Sequence, residues 1–445
     1  MNETQEKNKR PSAQRSSKGK PKIIAQVFNS GFDDSHDTYN AISTASDGRI
    51  YYVLSSDKID IPGRVYSFDP KETKIDFLGD LNKICGEDPA KTIVQGKSHV
   101  RFYEKDNKLY FSTHIGFYEL IDGMDRLPES NFGSYELYPG GHFIEYDLNT
   151  RKFESLGKIP GGEGAVSMTM DTKRGNIFAI SWPTGNFIHF NITTKFLKNL
   201  GSVSEKGEAG KPGEDFRSLC RSLFIHPATG NCYFSVADGD IHCYDLKLGE
   251  ITSLDNVNLR LDYFGNYDHT QPGSMGYNWR KIFWHASEDV AYGVHGNSGY
   301  LFMFDPLGQN IEIVDRITSE PSKRCGMFDQ FSYGYLGFIL GPDKETIYYL
   351  TGGPVFENGK RLAGEKEIAK GAAKGVENLH LITYNILEKI YKDHGPIFYE
   401  NGERPLYVNS IAIGDDGNIY TLARVERNGK TITDLIRFKN PLYKK

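Results

Sequence analysis

Apolar and polar positions alternate in short runs along this chain, and clusters of small polar residues separate the runs. Alternation with a period of two over a few residues predicts half-buried strands and argues against helices. One phrase recurs: a short strand, a polar turn, an aromatic-rich strand, a gap, then a strand ending near "YD" or "FD". It reads as "AISTASDGRIYYV…GRVYSFDP", "VRFYEKDNKLYFS…GHFIEYDL", "SMTMDTKRGNIFAI…NFIHFN" and "SLFIHPATGNCYFS…DIHCYDL". It continues as "KIFWHASEDVAYGV…GYLFMFDP", "GFILGPDKETIYYL…LHLITYN" and "SIAIGDDGNIYTL…TDLIRFK".

A fixed unit repeated in series is the signature of a repeat architecture. Each unit predicts a four-stranded antiparallel sheet, and seven such sheets in series predict an all-β, seven-bladed β-propeller. The last unit supplies three strands, so the early stretch "PKIIAQVFNSG" is expected to add the outer strand and close the last blade. Residues 1–20 are polar and basic and bury too little to offset their ordering entropy, which predicts a disordered tail. Residues 21–445 then form one domain.

Composition supports this pattern. The chain has 27 Tyr and 27 Phe, which suit pleated half-buried surfaces, and 47 Gly, which suit many tight turns. A net charge of −5 over 445 residues lacks the basic footprint that nucleic-acid binding needs. No apolar run approaches the roughly 20 residues that cross a bilayer as a helix. The five cysteines, Cys85, Cys220, Cys232, Cys243 and Cys325, match no zinc-finger spacing and read as small buried hydrophobes. No cofactor is required by the pattern. A structural zinc or calcium ion is one option, with His285, His295 and Cys325 as donors that folding would have to gather.

In a propeller the start of the innermost strand, the end of the second and the start of the third share one rim. In the second unit this places His99 ("KSHVRF"), His114 ("YFSTHIG") and His142 ("PGGHFIEYD") together. The insertion "FYELIDGMDRLPESNFGSYELYPG" between them would rise over them as a wall or lid. Counting the same register around the ring selects Asn40, His99, Ser167, Ser222, Arg280, Gly337 and Asn409, with Arg221 one residue off it. Ends of second strands add Trp182 and His295. Such a rim suits an anionic sugar, because Arg pairs bidentately with a carboxylate and Trp stacks on a pyranose face.

The motif series "KSH…THIG…YPGGHFIEYD", followed by "SWPTG", resembles the seven-bladed propeller polysaccharide lyases, including ulvan and rhamnose–glucuronate lyases. Propeller-fold rhamnosidases acting on rhamnose–glucuronate ends are related to them. The resemblance covers about residues 22–441, and its specific part is the second unit. It implies a secreted or periplasmic enzyme acting on an anionic polysaccharide or oligosaccharide, with His114 and His142 in the active site. The family also implies a tyrosine soon after "WPTG", where this chain has Asn186 and Phe187. Tyr277 and Tyr335 lie near inner-strand starts and are the replacements expected here.

The chemistry so implied is β-elimination. His114 or His142 would take the C5 proton of a uronate, and Arg280 or Arg221 would offset its carboxylate. His99 completes the imidazoles; Arg221, Trp182, His295, Asn409 and Tyr277 would hold the glycan. Two other classes remain open, a rhamnosidase-like glycoside hydrolase and a non-catalytic carbohydrate-binding propeller.

Overall fold

The computed structural model describes residues 23–121, 123–325, 337–362, 377–405 and 408–443. The expected N-terminal tail and Tyr335 lie outside the described residues. The described chain is all-β, with short helical turns at Leu81–Cys85 and Glu320–Arg324. Five separate four-stranded antiparallel sheets follow one another, and a sixth sheet has eight strands.

The first sheet runs Ile42–Thr44, Ile50–Leu54, Arg64–Asp69 and Lys74–Asp80 in spatial order. The third, Gly164–Asp171 to Leu197–Ser202, repeats that order. The eight-stranded sheet divides into two antiparallel halves. One holds Phe338–Leu340, Thr346–Pro354, Glu377–Asn385 and Ile390–Tyr399. The other holds Ala412–Ile413, Asn418–Arg427, Lys430–Lys439 and the N-terminal strand Ile23–Val27. That N-terminal strand pairs antiparallel with Lys430–Lys439 and parallel with Ile390–Tyr399, which joins the halves.

Inner strands of neighbouring sheets are tied by side chains reaching main-chain carbonyls. Ser43 Oγ donates to Phe102 O at 3.0 Å, Tyr103 OH to Met168 O at 2.8 Å and Ser167 Oγ to Cys220 O at 2.8 Å. Trp279 Nε1 donates to Ser222 O at 2.7 Å, and the Phe283 and Phe338 rings meet at 5.4 Å. Thr44 Oγ1 donates to Ile413 O at 2.7 Å and returns the circuit to the first sheet. The result is a β-propeller-like arrangement around a central axis.

The strands nearest the axis depart from simple alternation. Ile50–Leu54, Gly164–Asp171 and Asn176–Trp182 are buried at every position, whereas Leu197–Ser202 and Lys74–Asp80 at the outside are largely open. Sheets packed face to face cover both sides of the inner strands, so these read as continuous apolar runs.

Candidate active site

The two glycine motifs are close-packing devices. His114–Ile115 leaves the second sheet and pairs with Gln95–Lys97, with Lys97 opposite His114. A Cβ on Gly116 would lie 1.9 Å from Ser56 O. A Cβ on Gly141 would lie 2.3 Å from Thr113 O, and one on Gly164 would lie 2.8 Å from His114 Cα. Only bare backbone permits this convergence, and it carries His114 inward.

His114 joins a row of rings. His99 and His114 have centroids 4.5 Å apart, Tyr39 lies 4.5 Å from His99, and Trp182 lies 5.6 Å from His114. Lys97 Nζ sits over the Tyr39 ring at 4.3 Å and over the Tyr118 ring at 4.4 Å, and donates to the Tyr39 hydroxyl at 3.0 Å. Cation–π contacts on both sides hold the ammonium in place. Tyr39 and Tyr118 also line a cavity of about 580 Å³, together with Asp37, Asp57, Lys58, Asp60 and Asp125, whereas the buried Lys97 and His114 are not part of its lining.

Electrostatics keep the imidazoles neutral. Burial pushes both His99 and His114 well below the usual histidine range, and the Lys97 ammonium and Arg221 guanidinium add to the effect. His99 also feels His114 and Arg280. His114 Nδ1 lies 2.7 Å from Ile115 O. A carbonyl only accepts, so Nδ1 carries the proton and Nε2 bears the lone pair. The Nε2 atoms of His99 and His114 are both buried without a hydrogen-bond partner.

Glu208 organises the adjoining wall. Its carboxylate accepts from Trp182 Nε1 at 2.9 Å and from Arg221 at 2.6 Å. Arg126, on the hairpin Glu119–Ile121/Met124–Arg126, donates to Glu208 O at 2.8 Å and Gly210 O at 3.1 Å. The insertion after "THIG" therefore does stand as a wall, clasped to the third sheet's outer loop.

The other expected site residues are placed differently. His142 starts its strand beside Thr113, as the register requires, but its ring turns away from the other two. Its Nε2 lies 2.8 Å from Glu87 Oε1 and its Nδ1 lies 2.7 Å from Ser155 Oγ. Burial pushes the Glu87 carboxyl up, but hydrogen bonds from His142 and Gln95 outweigh it and hold the group below its usual range. Of the three imidazoles expected together, two meet.

Trp182 is buried and edge-bonded to Glu208, packed against Tyr118 at 4.9 Å, so it offers no open platform. Arg221 and Arg280 both act on His99 through their charge, and Arg280 is itself buried. His295 stacks on Phe264 at 4.2 Å and bonds Ser298 Oγ at 2.8 Å, so it belongs to the core of the fifth sheet. The Tyr277 hydroxyl donates to Asn266 at 2.9 Å. Asn409 donates to Thr38 O at 2.8 Å, which braces the segment carrying Tyr39. Asn186 donates to Thr184 and Glu163, and Phe187 is fully buried.

His285 lies 2.9 Å from Lys344 O, and no group of three or more His, Cys, Asp or Glu able to hold a metal ion occurs among the described residues. Tyr39, Lys97, Tyr118 and Glu208 escaped the register count. Tyr39 and Lys97 flank counted positions, beside Asn40 and two residues before His99, while Tyr118 sits on a loop and Glu208 on the short helical turn Gly207–Ala209, where no strand period applies.

No family model matches the chain, and no curated protein matches it. Solved structures do. A chain of the mitotic checkpoint complex aligns over 99% of this chain and 99% of its own, with a TM-score of 0.51 and 10% identity. A Bacteroides thetaiotaomicron protein of unknown function aligns over 89% of this chain and 90% of its own, with a TM-score of 0.39 and 10% identity. At such identity the likeness to the checkpoint chain speaks to fold alone, which is propeller-like and β-rich. No helix among the described residues is long and apolar enough to cross a membrane.

Proposed function

We propose that the chain is a seven-bladed β-propeller, counting the eight-stranded sheet as two blades, and that it cleaves a uronic-acid-containing glycan by β-elimination. The observation that carries this reading is the Lys97–Tyr39–His99–His114 row, which reaches a cavity of about 580 Å³ through Tyr39. The uronate carboxylate is set against the Lys97 ammonium, with Arg221 and Arg280 keeping the floor positive behind the imidazoles. The aspartates lining the cavity accept hydrogen bonds from sugar hydroxyls.

A neutral imidazole of the His99–His114 pair removes the C5 proton. The released electron pair forms the C4–C5 double bond, and the C4–O4 bond breaks toward the departing sugar. The Tyr39 hydroxyl protonates that oxygen, and Lys97 stabilises the charge left on the phenol. Each proton-transfer role is worth about 100- to 10,000-fold in rate.

Incubation with ulvan-type and other uronate polysaccharides, followed by ultraviolet absorbance, tests this. Unsaturated product is expected from the wild type. Tyr39→Phe and His99→Ala are expected to lower its formation at least about 100-fold. His142→Ala, which breaks contacts to Glu87 and Ser155 only, is expected to cost stability and leave turnover. Reducing sugar without the double bond would instead favour a glycoside hydrolase, a reading that Asp57, Asp60 and Asp125 around the cavity support. Binding without any product would leave a carbohydrate-binding propeller.

A further inference from the structure

A second cavity, about 190 Å³, lies between the inner strands Ile42–Thr44, Phe338–Leu340 and Ala412–Ile413 of several sheets, near the axis. It is lined by Asn40, Ser43, Arg101, Lys281, Phe338 and Ile411 among others, and none of its lining residues is acidic. Arg101 comes from the inner segment of the second sheet and Lys281 from the inner strand Trp279–His285 of the fifth. The two side chains face one space and repel each other, and Arg280 adds to the field on Lys281.

Among the described residues neither Arg101 nor Lys281 has an ion-pair partner, and Arg101 Nε is buried without a hydrogen bond. Its one aromatic contact is the Tyr103 ring at 5.4 Å. Burial, then Arg101 and Arg280, pull Lys281 down to about 7. Two like charges held together inside a protein are costly unless something of opposite sign joins them.

We propose that this axial cavity is a binding site for a small oxyanion, held by the guanidinium of Arg101 and the ammonium of Lys281. An arginine fork matches two oxygens of a phosphate or carboxylate, and a lysine adds a point charge from the opposite side. The volume equals that of about six waters at roughly 30 Å³ each, so it admits inorganic phosphate or a short dicarboxylate and excludes a glycan chain. The proposal needs no glycan chemistry and stands apart from the lyase reading.

Calorimetric titration of the full chain with inorganic phosphate, and separately with malonate, tests it. Chloride at matched ionic strength is the control. Wild-type protein is expected to bind one equivalent of at least one anion in the millimolar range or tighter, and the preferred anion identifies a tetrahedral or a carboxylate ligand. Arg101→Gln and Lys281→Met are each expected to weaken binding about tenfold or more. Either substitution removes an uncompensated charge, so both variants are expected to fold, with an anion-free Tm at or above that of the wild type. Wild-type protein that binds neither anion overturns the site. Binding that survives unchanged in both variants also overturns it, because the anion would then sit elsewhere on the chain.

Discussion

His295 shows how far a residue's chemistry can differ from its sequence setting. "VHGNSGY" offered an exposed rim imidazole, yet the ring is fully buried, stacked on Phe264 and bonded to Ser298. Burial pulls it down to about 3. Above about pH 6.5, the usual histidine value, it is neutral in both folded and unfolded chains and adds no pH dependence. Below that, the unfolded chain takes up a proton that the folded chain refuses, so stability falls as pH drops, until about pH 3. The slope is about 1.4 kcal/mol per pH unit, or roughly 2 kcal/mol between pH 6.5 and 5. Denaturant titration at pH 7 and pH 5 is expected to show His295→Gln losing about 2 kcal/mol less than the wild type over that interval. Equal losses would show that another group carries the acid sensitivity. Burial of this kind depends on what a distant segment brings, here Phe264 from the helical turn Asp262–Phe264, and no local pattern reports it.

At the scale of elements, the second sheet was the most legible part of the site. "THIG" and "PGGH" lie at strand ends of the second sheet, whereas His99 of "KSH" lies four residues before the inner strand Tyr103–Lys105 that it was expected to start, and the insertion after "THIG" carries the hairpin Glu119–Ile121/Met124–Arg126. Register fixes backbone position, but ring direction follows from which face of each strand a side chain leaves. His142 leaves toward the short helix Leu81–Cys85, whose Gly86 terminus delivers Glu87 to it. The glycines decide the rest. Gly164 begins the third sheet's inner strand directly against His114, and a methyl group there would lie 2.8 Å from His114 Cα and 2.9 Å from Cγ. Gly164→Ala is therefore expected to cost about 1 to 3 kcal/mol through overpacking and to push His114 off His99. Thermal melting checks the first effect. The His114 imidazole resonance in NMR, shifted by loss of its neighbour ring, checks the second. An alanine variant with wild-type stability and an unmoved resonance would show that the strands part easily, and that the close approach is not what holds the imidazole pair.

For the whole molecule, the recurring phrase disclosed an all-β repeat because turn chemistry and strand period are local properties. Closure was legible as a deficit, three strands in the last unit, and as a spare strand in the early stretch "PKIIAQVFNSG", which the structure pairs with Lys430–Lys439. The N-terminal strand also does something a strand deficit does not predict. Ala25 lies opposite Phe438 on one side and Tyr399 on the other, so one short segment ties the last two strand sets into a single sheet. Ala25 is fully buried there, while its neighbour Ile24 is 50% exposed. A proline at this position removes the main-chain donor and crowds a paired strand on both edges, which costs about 3 kcal/mol or more. An exposed side chain trimmed beside it costs within about 0.5 kcal/mol. Ala25→Pro is thus expected to lower the unfolding free energy by at least about 3 kcal/mol, and Ile24→Ala to leave it nearly unchanged. Because the ring is held by contacts between successive inner strands, loosening its seam weakens every sheet together. The loss is expected as one unfolding transition at lower denaturant, seen alike by far-ultraviolet circular dichroism and tryptophan fluorescence, whose reporters sit in the third and fifth sheets, away from the seam. Two separated transitions would mean that the sheets near residues 23–27 unfold on their own and that the remaining ring stands without its closing strand.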